Sequence, residues 1–271
     1  MEYLEGGEIK WRGPDKPLLT LEQIRRIVRD VLLGLEYRKS PPKEPRSLLA
    51  GLAWTYIANT VHYMGIIHRD IKPANMLWTK NRARVKLTDF GVAFFTKPLE
   101  GTYESTPDNS PAPDKEDRLN KTEGTPAFYA PEQACNQNGR PIPEFKPGER
   151  PPGVKGNHIY PMTKALDIWA FGVSIYCFLF GCPPFWGDNV YALCNEILES
   201  DYQIPLYATA DSLPIASDNP DLQEALRLMK GMMTKPVYAR MTLAEAKVSP
   251  SSTASSLSHD CIRCLPGLRG T

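Results

Sequence analysis

Residues 66–91 read IIHRDIKPANMLWTKNRARVKLTDFG, and this stretch decides the fold. It contains three short runs of residues that favour β-strands, at Ile66–His68, Met76–Trp78 and Val85–Leu87. Proline, asparagine and charged residues separate these runs, and such residues are typical of turns. The stretch therefore predicts small hairpins built around a loop.

Helical patterns lie on both sides of this stretch. The segment TLEQ at 20–23 is a capping box, and the apolar residues that follow it at helical spacing predict an amphipathic helix over 20–37. A second helical pattern starts at Thr163 and continues to Phe180, where Gly181 marks its end. Further helices are predicted at 189–199 and 220–233. The predicted fold class is mainly α with small β-hairpins.

Three segments rich in proline and polar residues interrupt these patterns. We interpret them as insertions at 38–60, 97–121 and 136–161, of which the last two are expected to be partly disordered surface loops. The Ser-rich tail at 248–271 is also expected to be disordered. One domain over 1–247 remains.

The composition excludes several classes of protein. The chain has 271 residues, 42% hydrophobic and 23% charged, which is enough to bury a sizeable core. The net charge is +1 and there are no blocks of like charge, so the sequence shows no basic region that would favour binding to nucleic acid or an anionic membrane. Because no secretory signal follows Met1 and the longest apolar run, Ile168–Phe180, is too short for a membrane span, we expect a cytoplasmic or nuclear protein.

The six cysteines have no disulfide-framework spacing, which predicts reduced thiols. Cys261 and Cys264 form one C-x-x-C without a second pair or a suitably spaced histidine. This pattern favours chance spacing over a metal site.

Three tripeptides and one asparagine carry the chemistry. They are His68-Arg69-Asp70, Asp89-Phe90-Gly91 and Ala130-Pro131-Glu132, with Asn75 fourteen residues before Asp89. Any one of these residues alone reads as an ordinary turn carboxylate or amide. Together, in this order and spacing, they resemble the catalytic and metal-binding motifs of the protein kinase family. The resemblance implies a kinase-like large lobe.

It also implies a role for each residue. Asp70 accepts the proton of the substrate hydroxyl, and Lys72 steadies the γ-phosphate of ATP. Asn75 and Asp89 hold Mg²⁺ through oxygen ligands. Lysine at position 72, within HRDIKPAN, is typical of family members that act on serine and threonine.

Regulatory residues follow from the same resemblance. Arg69 precedes Asp70, as in kinases whose activation loop is ordered when a phosphate pairs with this arginine. Thr122 is the expected phosphate site, and Thr125 is the threonine that contacts the catalytic loop. In the alternative, no phosphate is needed because Glu123 and the acidic segment DKED at 114–117 partly neutralise Arg69.

The first residues, MEYLEGGEI, resemble the hinge that joins the two lobes of a kinase. Backbone groups of Glu2 and Leu4 would then bind adenine, and Glu8 would reach the ribose. Without the motifs that follow, the segment would read only as a Gly-Gly turn.

Three residues are expected to support the site. Asp167, in DIWAFGV, resembles the aspartate of the family's central helix that holds the backbone of the catalytic loop. Arg240 resembles the arginine that pairs with Glu132. The usual D-P-x-x-R has become KPVYAR at 235–240, with lysine for aspartate and one residue more.

The phrases EGGEIKWR, GIIHRDIKPAN, GTPAFYAPE and DIWAFGVSIYC are most similar to calcium/calmodulin-dependent protein kinase kinases and their fungal relatives. That family phosphorylates threonines in the activation loops of other kinases, so the implied partner is a protein substrate, such as another kinase. No calmodulin-target helix is evident in the sequence.

Part of the family pattern is not found. The sequence has no glycine-rich phosphate loop, no V-A-I-K lysine and no partner glutamate for that lysine, so we expect the hinge and large lobe only. Splice signals can be encoded by the codons for three short segments, Arg38-Lys39-Ser40, Thr60-Val61 and Lys247-Val248-Ser249. This possibility suggests that 38–60 and 248–271 are retained introns.

The predicted function is phosphoryl transfer from ATP to a protein serine or threonine, by a kinase that acts on other kinases. The alternative is an inactive kinase-like fragment that serves as a binding module or arises from a truncated, intron-retaining gene model.

Overall fold

Six α-helices, three 3₁₀ helices (Pro73–Asn75, Lys80–Arg82 and Pro126–Phe128) and seven short strands form the part of the chain that the computed structural model describes, which is residues 5–14, 16–35, 65–95, 122–140 and 163–247. The helices are α1 (Leu21–Leu35), α2 (Pro131–Asn138), α3 (Ala165–Phe180), α4 (Val190–Glu199), α5 (Pro220–Met232) and α6 (Leu243–Lys247). The strands are β1 (Gly7–Glu8), β2 (Ile66–Ile67), β3 (Met76–Trp78), β4 (Val85–Leu87), β5 (Phe94–Phe95), β6 (Tyr207–Ala208) and β7 (Leu213–Pro214). The expectation of a mainly α fold with small hairpins is confirmed.

Helix α1 begins where the sequence predicts. The capping box is present, because Thr20 N donates to Gln23 Oε1 (2.9 Å) and Gln23 N donates to Thr20 Oγ1 (3.4 Å). One face of the helix is buried, and Ile24 and Ile27 on it are fully enclosed. The predicted end at residue 37 lies outside the described residues.

Helix α3 is the centre of the core. Every residue from Leu166 to Phe180 is buried, and the left-handed Gly181 (φ +73°) ends the helix as expected. Helices α1 and α5 pack against α3. At Gly172, a Cβ would lie 2.8 Å from Met232 Cβ and Met233 Cγ, so the glycine permits the close approach of α5.

Strands β3 and β4 form the hairpin that the sequence predicts. Met76 lies opposite Leu87 and Trp78 opposite Val85, in antiparallel register. Four strands were not predicted: β6 and β7, which pair with each other, β1, which pairs with β3, and β5, which pairs with β2. Strands β1 and β5 are two residues long, and their pairing depends on partners distant in sequence.

Helix α2 corrects one predicted boundary. The insertion predicted at 136–161 overlaps it, because residues 136–138 are helical. The helix starts at Pro131, Gln133 Oε1 accepts from Ala130 N (3.0 Å), and the left-handed Gly139 (φ +64°) ends it. Helix α6 was also not predicted, although Thr242 and Glu245 form a capping box in front of it. The insertions at 38–60 and 97–121, the rest of 136–161 and the tail 248–271 lie outside the described residues.

The described cysteines are free thiols, as expected: Cys135, Cys177, Cys182 and Cys194. Burial raises the pKa of Cys135 to about 12 and that of Cys194 to about 11, so both are protonated at neutral pH. Cys261 and Cys264 lie outside the described residues. In the described segments, no helix has the length and apolar content needed to cross a bilayer.

The packing at Gly172 predicts the effect of a single methyl group. Gly172→Ala should lower the free energy of unfolding by about 1–3 kcal/mol, because the methyl group overpacks the contact with α5. Gly34→Ala in α1 is the matched control. Its Cβ would lie 3.9 Å from Leu87 Cδ1, so better helix propensity should stabilise by about 0.5–1 kcal/mol. Urea denaturation measures both, and equal effects would contradict the prediction.

Candidate active site

The loop that follows β2 is held by a buried carboxylate on α3. Asp167 Oδ2 accepts from His68 N and Asp167 Oδ1 accepts from Arg69 N, both at 2.9 Å. Arg69 adopts a left-handed backbone conformation (φ +65°), which residues other than glycine rarely adopt. These two hydrogen bonds to Asp167 hold the loop in this conformation, which is the contact that the family resemblance implies for this aspartate.

The Asp70 carboxylate is surrounded by donors. Thr125 Oγ1 donates to Oδ1 at 2.7 Å, while Lys72 Nζ and Asn75 Nδ2 lie 2.8 and 3.0 Å from Oδ2. Burial alone would raise the pKa of Asp70, but the hydrogen bonds from Lys72, Thr125 and Asn75 outweigh it and hold the pKa below its usual range. Asp70 is therefore an ionised acceptor at neutral pH.

Thr125 links the segment before α2 to the catalytic loop. Besides its bond to Asp70, its hydroxyl accepts from Lys72 Nζ at 2.7 Å. Gly124 makes this approach possible, because a Cβ there would lie 2.3 Å from Arg69 O and its φ is +106°. No role was predicted for Gly124, although its position directly before Thr125 and Pro126 was a usable signal.

Asn75 and Asp89 stand at the two open ends of the β3–β4 hairpin. The Asn75 amide nitrogen donates to Asp70 O (2.8 Å) as well as to its carboxylate, so its amide oxygen is the atom left to face a cation. Asp89 is exposed, has a left-handed backbone (φ +60°), and accepts from Gly91 N (3.2 Å). A carboxylate and an amide oxygen suit Mg²⁺.

His68 connects the catalytic loop to the strand that leads into Asp89. Asp70 N donates to His68 Nδ1 (3.4 Å), which places the ring proton on Nε2, and Nε2 lies 3.0 Å from Thr88 O. The ring also packs on Phe90, with centroids 4.6 Å apart. From the sequence, His68 was only part of a motif, whereas its full burial and its two contacts indicate a positioning role.

Arg69 extends from the loop toward the chain after Asp89. Its Nε donates to Val92 O (2.5 Å), and its guanidinium lies 5.9 Å from the centre of the Phe94 ring. Thr122 is half-buried and lies three residues before Thr125.

Glu132 and Arg240 form the expected pair. Arg240 Nη1 and Nη2 donate to the two carboxylate oxygens at 2.7 and 2.9 Å, and both residues are buried. The altered sequence at 235–240 still places the arginine, because Arg240 N donates to Pro236 O. Lys235, which stands where the family has aspartate, instead donates to Ser200 O at the end of α4 (2.8 Å).

The segment that resembles a kinase hinge is only partly described. Glu2 and Leu4 lie outside the described residues. Glu8 is exposed on β1, opposite Leu77 of β3, so this part of the hinge-like segment is anchored to the hairpin that carries Asn75.

Comparison with known proteins agrees with this geometry. A family model described as "Protein kinase domain" matches residues 55–251. Serine/threonine-protein kinase ssp1 of Schizosaccharomyces pombe is 34% identical over 251 residues, and SNF1-activating kinase 1 of Saccharomyces cerevisiae is 33% identical over 260 residues; each alignment covers 92% of this chain. A calcium/calmodulin-dependent protein kinase kinase of Caenorhabditis elegans is 29% identical over 248 residues, or 91% of this chain. The alignments cover 29%, 20% and 32% of these three relatives, respectively.

The buried ion pair predicts an asymmetric response to mutation. Arg240→Met should destabilise by about 3–5 kcal/mol, because it leaves the Glu132 carboxylate buried without a partner. The double variant Glu132→Met/Arg240→Met should be less destabilised than this single variant. Arg227→Met, which breaks a more exposed pair with Glu224, is the control and should change stability by less than about 1 kcal/mol. Thermal unfolding measures the stability of each variant. A double variant that is less stable than the Arg240→Met single variant would contradict the prediction.

Proposed function

The chain belongs to the protein kinase family, and we propose that its site transfers the γ-phosphoryl group of ATP to a serine or threonine hydroxyl of a protein. The observation that carries the proposal is the Asp70 carboxylate, which is ionised and held by Thr125, Lys72 and Asn75. Phosphoryl transfer depends on positioning and charge stabilisation, and this arrangement supplies both.

Asp70 orients the acceptor hydroxyl and receives its proton. Its low pKa makes it a weak base, so it takes the proton only when the hydroxyl oxygen bonds to phosphorus and becomes acidic. Lys72, beside Asp70, offers positive charge to the transferred phosphoryl group. Its contact with Thr125 ties this charge to the segment that precedes α2.

Asn75 and Asp89 are the residues that would hold Mg²⁺. When bound there, the ion would supply positive charge that neutralises the phosphates of ATP. Backbone groups of Glu2 and Leu4 would bind adenine, and Glu8, on the strand beside β3, would reach the ribose.

We assign another protein kinase as the substrate class. One relative is named a calcium/calmodulin-dependent protein kinase kinase, and another is named for activating SNF1. The four phrases that resemble this subfamily include the segments that bear Asp70, Thr125 and Asp167. The expected acceptor is a threonine in the activation loop of the substrate kinase.

Phosphate at Thr122 would switch the site. It would add about −1.5 to −2 charge near Arg69, whose side chain already reaches the chain after Asp89 through Val92. A charge-assisted contact between the two would order the segment on which a peptide substrate lies.

The role of Asp70 predicts a separation of catalysis from binding. In the full-length protein, Asp70→Asn should lower kcat by several orders of magnitude while the affinity for ATP stays within about threefold, because the carboxylate is needed in the transition state. Asp188→Asn, at an exposed carboxylate, is the control. Undiminished turnover in Asp70→Asn would remove Asp70 from the mechanism. If the parent protein neither binds ATP–Mg²⁺ nor phosphorylates a protein substrate, the result would favour the binding-module alternative.

The switch predicts the behaviour of Thr122 variants. Thr122→Ala should lower kcat/KM for a protein substrate about tenfold or more, and Thr122→Asp should restore part of it, because aspartate supplies part of the phosphate charge. Kinetics of the full-length protein measure this effect. Equal activity in the parent and Thr122→Ala would mean that the loop needs no phosphate. In that case Glu123 and the acidic segment at 114–117 would partly neutralise the charge of Arg69.

A further inference from the structure

The β3–β4 hairpin sets the positions of both residues that we propose to hold the cation. Asn75 directly precedes β3, and Asp89 follows β4 after a single residue, Thr88. Thr88 N donates to Asn75 O at 2.9 Å, so the two ends of the hairpin are bonded to each other. Any shift of the hairpin therefore moves both proposed ligands together.

A buried carboxylate on α1 fixes this hairpin. Asp30 Oδ2 accepts from the backbone N–H of Val85 at 2.9 Å, and its side chain is 2% exposed. Strand β4 is at the edge of its sheet, whose order is β1–β3–β4, and this bond ties the edge to α1. Asp30 Oδ1 is paired with Arg84 Nε (3.3 Å) and Arg29 Nε (3.4 Å), which compensate the buried charge.

The same helix also holds the tip of the hairpin. Arg26 Nη2 donates to Arg82 O at 2.9 Å, and its guanidinium lies 5.9 Å from the centre of the Trp78 ring. Asn81 and Arg82 both have positive φ, at 59° and 54°, so the tip is a tight turn. Helix α1 thus contacts the hairpin at the tip and at the edge strand.

We propose that Asp30 is a positioning residue for the cation site, which acts by fixing β4 on α1 and thereby placing Asn75 and Asp89. The inference rests on the proposed function, because it needs these two residues to be the ligands. The sequence signal is a single carboxylate in α1 at a buried position among apolar neighbours.

The test uses Mn²⁺ as a spectroscopic probe in place of Mg²⁺. Free and bound Mn²⁺ are counted by electron paramagnetic resonance on the full-length protein with a non-hydrolysable ATP analogue. Asp30→Leu, which removes the acceptor for Val85 N–H, should weaken Mn²⁺ binding about tenfold. Asp30→Asn keeps an acceptor oxygen but loses the pairing with both arginines, and should weaken it about twofold.

Two further variants complete the design. Glu22→Gln removes an exposed carboxylate from the same helix and should bind Mn²⁺ like the parent. Asp89→Asn removes a proposed ligand and should lose most of the binding. The affinity for the analogue without a divalent ion should be unchanged in both Asp30 variants, which separates positioning of the cation ligands from general loss of structure.

The outcomes are distinct. A graded loss from Asp30→Asn to Asp30→Leu supports the inference. If Asp30→Leu does not fold, Asp30→Asn decides, and Mn²⁺ affinity equal to that of the parent overturns the inference. Loss in Asp89→Asn without loss in a folded Asp30 variant overturns the inference alone. Unchanged binding in Asp89→Asn overturns the proposed role of the ligands, and the inference with it.

Discussion

The contact between Asp167 and the loop after β2 is the interaction on which the site depends. Its two oxygens accept the backbone N–H groups of His68 and Arg69, and one of these residues has a left-handed backbone. Such a backbone costs about 1–2 kcal/mol, whereas each hydrogen bond to a charged group contributes about 1.5–3 kcal/mol. The carboxylate therefore overrides the local preference of the chain, and Asp70 takes its direction from that fixed loop.

Electrostatics at Asp70 follow from the same arrangement. Burial opposes ionisation, and three donors favour it strongly enough to lower the pKa. This balance suits an orienting group better than a strong base, because a carboxylate with a low pKa leaves the acceptor hydroxyl protonated until transfer is under way. Lys72 shares its ammonium group between Asp70 and Thr125, so the position of its positive charge is fixed by the protein.

Much of this arrangement was predictable from the sequence. The capping box of α1, the apolar body of α3 and the spacing from Asp70 to Asp89 are local signals, and the structure brings together Asp70, Lys72, Asn75 and Thr125. The expected contact of Asp167 and the pair between Glu132 and Arg240 came from resemblance rather than from local pattern. The roles of these residues in catalysis stay predictions.

The features that escaped prediction have a common physical cause. Strands β1 and β5 have two residues each, and their pairing depends on partners far away in the sequence. Gly124 has meaning only because Arg69 O lies where its Cβ would be. Asp30 breaks the apolar pattern of α1, and that break could be explained only when Val85 was seen to need an acceptor.

Two buried carboxylates on neighbouring helices now account for the geometry of the site. Asp167 on α3 holds the loop that carries the proposed base, and Asp30 on α1 holds the hairpin that carries the proposed cation ligands. Helices α1 and α3 pack against each other, so the loop held by Asp167 and the hairpin held by Asp30 are both attached to the same rigid core. Both contacts end on backbone N–H groups, and they fix the path of the chain whatever side chains it bears there. The separation between the proposed base and the proposed cation ligands is therefore set by helix packing, which is less compliant than the loops that bear these groups.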